Sequence, residues 1–229
     1  MVDPAVNGDM SQRVAVDTAA MPWQSSPSGS VFRKRLHRVG PAEAGEVTSL
    51  VRFVPGATFS EHQHPDGEEI LVLEGTFSDQ EGDWGQGSYL LNPHGSLHQP
   101  FSREGCLLFV KLRQYRGEGR PRLKIDTEEL SWTAGAKVGI EQKTLFDDPR
   151  FADSSRLERW APGTSPGVRR FPGGAEIFVL EGDLADEEGR YTRGWWLRLP
   201  TSSKHRPVTE SGCVLYLKVG GVESLRSEG

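Results

Sequence analysis

The chain has 229 residues and a formal net charge of −5 at pH 7, with 27 glycines and 15 prolines. That length can bury a real core without disulfide staples, as one large all-β domain or two smaller ones. The basic residues fall in short, scattered runs, which excludes the footprint of a nucleic-acid or anionic-membrane binder, and no apolar stretch is long enough to span a bilayer.

The first 28 residues read as an arm outside the patterned part of the chain. The start lacks a positive region followed by an apolar core, so it is no signal peptide, and a cytoplasmic location is expected. Met21, Pro22 and Trp23 are expected to pack the arm onto the body. "VFRKRLHRVG" alternates as a solvated strand face would. Strands follow at "VTSLVRFVP", "EEILVLEGTF", "GSYLLNP" and "GCLLFVKL", with turn signals "PDG", "QEGDWGQG", "NPHGS" and "SREG" between them. Short strands at this spacing, each with one inward face, predict an all-β sandwich or barrel.

The second half repeats the first without a gap. Gly75 matches Gly182, Gly87 matches Gly194, Pro93 matches Pro200, His98 matches His205 and Cys106 matches Cys213, each pair 107 residues apart. A repeat of roughly 100 residues is a duplicated domain rather than a solenoid unit. The expected layout is an arm over 1–28, a first domain over 29–118, a linker over 119–135 and a second domain over 136–229. Cys106 and Cys213 each sit in an apolar run and read as buried free thiols.

The chemistry concentrates in "GATFSEHQHPDGEEILVLEG". Residues i and i+2 of a strand share a face, so His62 and His64 present two imidazoles to one side. The "PDG" turn reverses the chain and brings a carboxylate, Glu68 or its rival Glu69, back beside the rings. "NPHGSLH" adds His98, while His94 in the same turn reads as exposed. Imidazole and carboxylate together suit iron, manganese, nickel or zinc.

The spacing G(x5)HxH(x3)E(x6)G is met by Gly56, His62, His64, Glu68 and Gly75, and G(x5)PxGxxH by Gly87, Pro93, Gly95 and His98. These resemble the two signature motifs of the cupin superfamily, and the wider phrase resembles its ChrR-like branch. The second motif's trailing asparagine is replaced by Ser102, a loss that touches packing more than ligation. The resemblance implies two tandem jelly-roll barrels, the first holding one divalent ion, Fe(II) or Zn(II) foremost and Mn or Ni next, on His62, His64, Glu68 and His98. Shifted by the repeat, the ligands become Arg169, Phe171, Ala175 and His205, so the second barrel is expected to be metal-free. Its expected role is to pair with the first within the chain, with a homodimer as the next level of assembly. Arg169 and Arg170 offer a lesser alternative, an anion site.

Two functional readings follow from the resemblance. One is a dioxygenase acting on a small oxygenated substrate such as a diketone or phenolic ketone, in a pocket walled by residues such as Phe53, Leu71 and Tyr89. The other is a sensor module that binds a small ligand. The chain lacks the His-x3-Cys-x2-Cys pattern of an anti-sigma helical domain. A purely structural double barrel is disfavoured, because it needs no convergent polar groups in its core.

Overall fold

The structure, a computed structural model, describes residues 4–226. It is all-β, and its residues fall into two compact units, 4–8 with 22–129 and 226, and 9–21 with 130–225. Each is a jelly-roll barrel. Among the described residues no helix is long and apolar enough to cross a membrane.

The first unit is built on a seven-stranded antiparallel sheet. Its order is Leu123–Asp126, Ser88–Asn92, Glu68–Gly75, Cys106–Leu112, Glu46–Phe53, Val31–Val39 and Gln24–Ser25. Short strands complete the barrel: Ala57–Thr58, Phe101–Ser102, Phe77–Asp79 and Gly82–Trp84 form one small sheet, and His62–Gln63 pairs with Leu97–His98. Strand alternation decides the core. Ile70, Val72, Leu90 and Leu108 point inward and meet Phe77 and Ala57 from the small sheet. Fully burying side chains of this kind stabilises by roughly 1.5–3 kcal/mol each. Phe53 joins them, edge-on to Phe59 and Phe77. Leu71 and Tyr89 do not line this interior. They are one residue out of phase with Ile70 and Leu90, paired with each other across the opposite face.

One glycine explains a repeated word in the sequence. Gly75 and Gly182 have φ of 72° and 70°, and each follows a bulge in its strand. A Cβ would stand 2.2 Å from the Gly105 carbonyl oxygen in one repeat and 1.9 Å from that of Gly212 in the other. Only glycine fits.

The second unit keeps the strand order: Val14–Asp17, Trp195–Leu199, Ala175–Asp186, Cys213–Val219, Ser154–Trp160, Ile140–Asp147 and Thr133–Ala134. Trp160, Phe171, Ile177, Val179, Leu197 and Leu215 fill its core. Cys106 and Cys213 are buried and free. Burial pushes their thiols up to about 11 and about 12, so neither is a ready nucleophile.

Three expectations change here. Residues 119–135 are not a plain linker, because Leu123–Asp126 forms the edge strand beside Ser88–Asn92. The first 28 residues, expected as an arm outside the repeat, also contribute a strand to it: Val14–Asp17 fills the same edge position beside Trp195–Leu199 in the second unit, while Trp23 packs onto the first as expected, its ring centre 4.5 Å from the Lys34 ammonium and 4.1 Å from the Arg52 guanidinium. Four-residue edge strands whose partners lie far along the chain leave too little pattern to read. The run over Val31–Val39 is not a solvated face either. Lys34, His37 and Arg38 are buried, and Arg33 and Arg35 both grip Glu43.

The arm is fixed by charge as well as by strand pairing. The Arg13 guanidinium donates to Asp186 Oδ2 at 2.6 Å and to the Tyr191 hydroxyl at 2.8 Å. Burial alone would push the Asp186 carboxyl up, but bonds from His205, the Glu188 N–H and Tyr191, with the charge of Arg13, hold it at about 2. Arg13→Ala should therefore destabilise the second unit by roughly 2 kcal/mol, read as a fall in Tm. Asp186 also sets an acid limit. Its contribution is complete above its ordinary value of 3.8 and is lost as pH falls from there through about 2, so Asp186→Asn should flatten acid unfolding in that window.

Candidate metal centre

Four side chains predicted from the sequence converge in the first barrel. His62 lies directly opposite His98 in the two-residue ladder between His62–Gln63 and Leu97–His98. His64 follows His62 on the same side, their ring centroids 4.8 Å apart. The turn through Asp66 and Gly67, with φ of 56° and 73°, then reverses the chain and starts a new strand at Glu68. The ring nitrogens of His62, His64 and His98 fall within 4.8 Å of one another. His64 Nε2 and His98 Nε2 are 2.8 Å apart, and Glu68 Oε2 lies 3.6 Å from the first and 3.7 Å from the second.

The donor set fits a divalent first-row ion. Nitrogen and oxygen ligands about 2.1 Å from a shared centre stand roughly 3 Å apart, and the distances here bracket that separation. His64, His98 and Glu68 are buried, while His62 is half-buried.

Three of the four donors have a polar neighbour behind them. His62 Nδ1 donates to the Ser60 carbonyl at 2.9 Å, which leaves Nε2 with its lone pair free to face the centre. His98 Nδ1 points toward Asp79 Oδ2 at 3.6 Å. Burial would push the Asp79 carboxyl up, but the His98 ring, the Glu81 N–H and the Lys124 charge outweigh it and hold it at about 2. Asn92 Nδ2 donates to Glu68 Oε2 at 3.0 Å. Burial is the main influence on His64 and lowers its pKa below 6.5; Glu68 opposes this, and His98 and His62 reinforce it. The imidazole is therefore neutral at pH 7, with a lone pair to give.

Glu69, the rival carboxylate, points to the other face of the sheet and accepts a bond from the Tyr115 hydroxyl. His94 is exposed, and its Nδ1 caps the Asp66 N–H at 2.9 Å. Ser102, standing where the motif's asparagine would be, satisfies its hydroxyl on the Thr76 carbonyl at 2.6 Å.

The equivalent place in the second barrel is built differently. Arg169 forms a two-pronged bond to Glu158, at 2.8 and 2.9 Å, and Trp160 and Arg156 donate to the same carboxylate. Burial would raise the Glu158 carboxyl, but the two arginines lower it on balance. Phe171 packs into the apolar core, and His205 turns its Nε2 onto Asp186 at 2.8 Å. The guanidinium of Arg169 is thus paired with Glu158 inside the barrel, and its charge is offset there.

A cavity of about 340 Å³ opens on His62 and His64. Phe59, Pro65 and Leu112 make its apolar wall, and Arg33, Glu43 and Arg113 its charged wall.

Sequence reasoning missed Asp79, Asn92 and Arg113. The repeat held the signal for the first two. Asp79 recurs as Asp186 beside the retained His205. Asn92 becomes Leu199 where Glu68 becomes Ala175, and each of these pairs is matched across neighbouring strands.

The family model described as ChrR Cupin-like domain matches the chain twice, over residues 11–116 and 120–223. No curated protein matches it. Among solved structures, a candidate dioxygenase from Nostoc punctiforme is 18% identical with a TM-score of 0.73, covering 91% of this chain and 82% of its own. Protein YlbA from E. coli is 15% identical with a TM-score of 0.72, covering 96% and 95%. Oxalate decarboxylase from Bacillus subtilis is 13% identical with a TM-score of 0.61, covering 94% and 78%. At these identities the likeness is one of fold.

In metal-free protein, the His64 ring should titrate below pH 6.5 when followed by NMR. Since its folded pKa lies below its unfolded one, the barrel should lose stability as pH drops through the range below 6.5.

Proposed function

The chain belongs to the ChrR cupin-like family, and we propose that its first barrel is a metal-dependent dioxygenase acting on a small oxygenated substrate such as a diketone or phenolic ketone. One observation carries this reading: two of the three convergent imidazoles, His62 and His64, border an open cavity. A closed structural zinc site would need no such space. His62, His64, His98 and Glu68 hold the ion, and the second barrel, with Arg169, Phe171 and Ala175 at those positions, holds none.

An iron(II) ion in this set supplies Lewis acidity and a reductant for dioxygen. The chain's own residues do the positioning. Ser60 fixes the ring of His62, Asp79 faces that of His98 at 3.6 Å, and Asn92 fixes the Glu68 carboxylate. Phe59, Pro65 and Leu112 exclude water from one side of the cavity, and half-buried His62 marks the side a substrate reaches first.

Metal analysis of purified protein should find close to one ion per chain, and His64→Ala, His98→Ala and Glu68→Ala should each lose it. Asn92→Leu, which copies the second repeat, should weaken metal affinity about 10-fold while leaving the fold intact. Oxygen uptake with pentane-2,4-dione or a phenolic ketone then tests the reaction. Metal binding that survives all three alanine variants would sink the assignment. Ligand binding without oxygen uptake would turn the reading to a sensor.

A further inference from the structure

The charged wall of the cavity is unevenly satisfied. Arg33 donates to both oxygens of Glu43, at 3.2 and 3.0 Å, and Arg35 shares the same carboxylate at 3.0 Å. Arg113 has no such partner. Its guanidinium makes no hydrogen bond or ion pair among the described residues, although it borders the same space as His62 and His64.

Its backbone is also unusual. Arg113 has φ of +61°, in the left-handed region that disfavours residues with a Cβ. The second repeat places Gly220 there, with φ of +78°. The turn is the same in both repeats: Arg113 N donates to the Gly67 carbonyl at 2.9 Å, and Gly220 N to that of Gly174 at 2.9 Å. The metal-bearing barrel thus keeps a long cationic side chain where its twin relaxes to glycine. Strain held at one site, next to a cavity, points to a ligand.

We infer that Arg113 determines specificity by receiving a carboxylate of the substrate, so that within the proposed class a small oxo-acid, a ketone or diketone bearing a carboxylate, is preferred over the neutral diketone. The inference rests on the metal-centre reading above. A guanidinium offers a planar pair of N–H donors that matches a carboxylate. Two guanidinium groups against one carboxylate leave the cavity wall positively charged, and Phe59, Pro65 and Leu112 suit the carbon skeleton between the anion and the oxygens that face the histidines.

The test is calorimetry on the full chain loaded with zinc, which binds ligand without turnover, using 2,4-dioxopentanoate and pentane-2,4-dione. Wild type should bind the acid at least about 10-fold more tightly than the neutral dione. Arg113→Gln and Arg113→Gly should lose that preference, weakening the acid about 10- to 100-fold and the neutral dione less than about twofold. Arg113→Gly copies the second repeat, so its Tm should match or exceed wild type and zinc should stay near one per chain. The inference is overturned by equal affinity for the two probes, by failure of the acid to bind at millimolar concentration, or by an acid affinity that survives both substitutions. A chain that takes up no zinc fails earlier, at the metal centre, and the metal content tells that result apart.

Discussion

A ladder of two residues holds the candidate centre together. His62 faces His98 across it, and strand alternation puts His64 on the same side. The ladder is too short to be stable alone. It persists because each of its strands is flanked on one side by the seven-stranded sheet and on the other by the small four-stranded one. The turn at Asp66 and Gly67 then returns Glu68 beside the rings, and the neighbouring strand of the same sheet supplies Asn92 to hold that carboxylate. Three separate segments thus deliver donors to one point; Ser60 holds the His62 ring and Asn92 the Glu68 carboxylate by hydrogen bonds, and Asp79 faces the His98 ring. Burying this many polar atoms is tolerable only when their hydrogen-bonding capacity is used.

The second barrel shows another way of meeting the same demand. Its chain bears Arg169 where His62 stands, and a partly buried guanidinium is stabilised by an anion; Glu158 provides it, with Trp160 completing the carboxylate's bonds. Phe171 turns the position of His64 into apolar core. Glu68 and Asn92 are replaced together by Ala175 and Leu199, as expected of two groups that satisfy each other. His205 and Asp186 persist because their bond, joined by Arg13 and Tyr191, ties the arm to the barrel whatever the fate of the centre. One duplicated scaffold thus supports a polar centre and an ion-paired, apolar filling at equivalent positions.

Much of this was legible in the sequence. Alternation and turn residues marked the main strands, the 107-residue offset exposed the duplication, and the i, i+2 rule placed His62 and His64 on one face. The choice of Glu68 over Glu69 agrees with the faces the two residues occupy. What escaped were relations carried by long-range pairing. The edge strands Val14–Asp17 and Leu123–Asp126 are four residues long and join partners far away in the chain. Leu71 and Tyr89 read as interior because apolar side chains fill both faces of these strands, so hydrophobicity could not reveal their phase. The basic run at 31–40 looked solvated because its partners, Trp23, Glu43 and Glu46, come from other segments.

The edge strand Val14–Asp17 sets an order on biosynthesis. It leaves the ribosome ahead of the whole first barrel, whereas its partner, Trp195–Leu199, emerges only after that barrel is made. In the interval those four residues wait as an unmatched ribbon, and the distal sheet lacks its edge until it recaptures them. Excising Val14–Asp17 would therefore be felt in the distal barrel, while the donor cluster encoded between the two strands matures first.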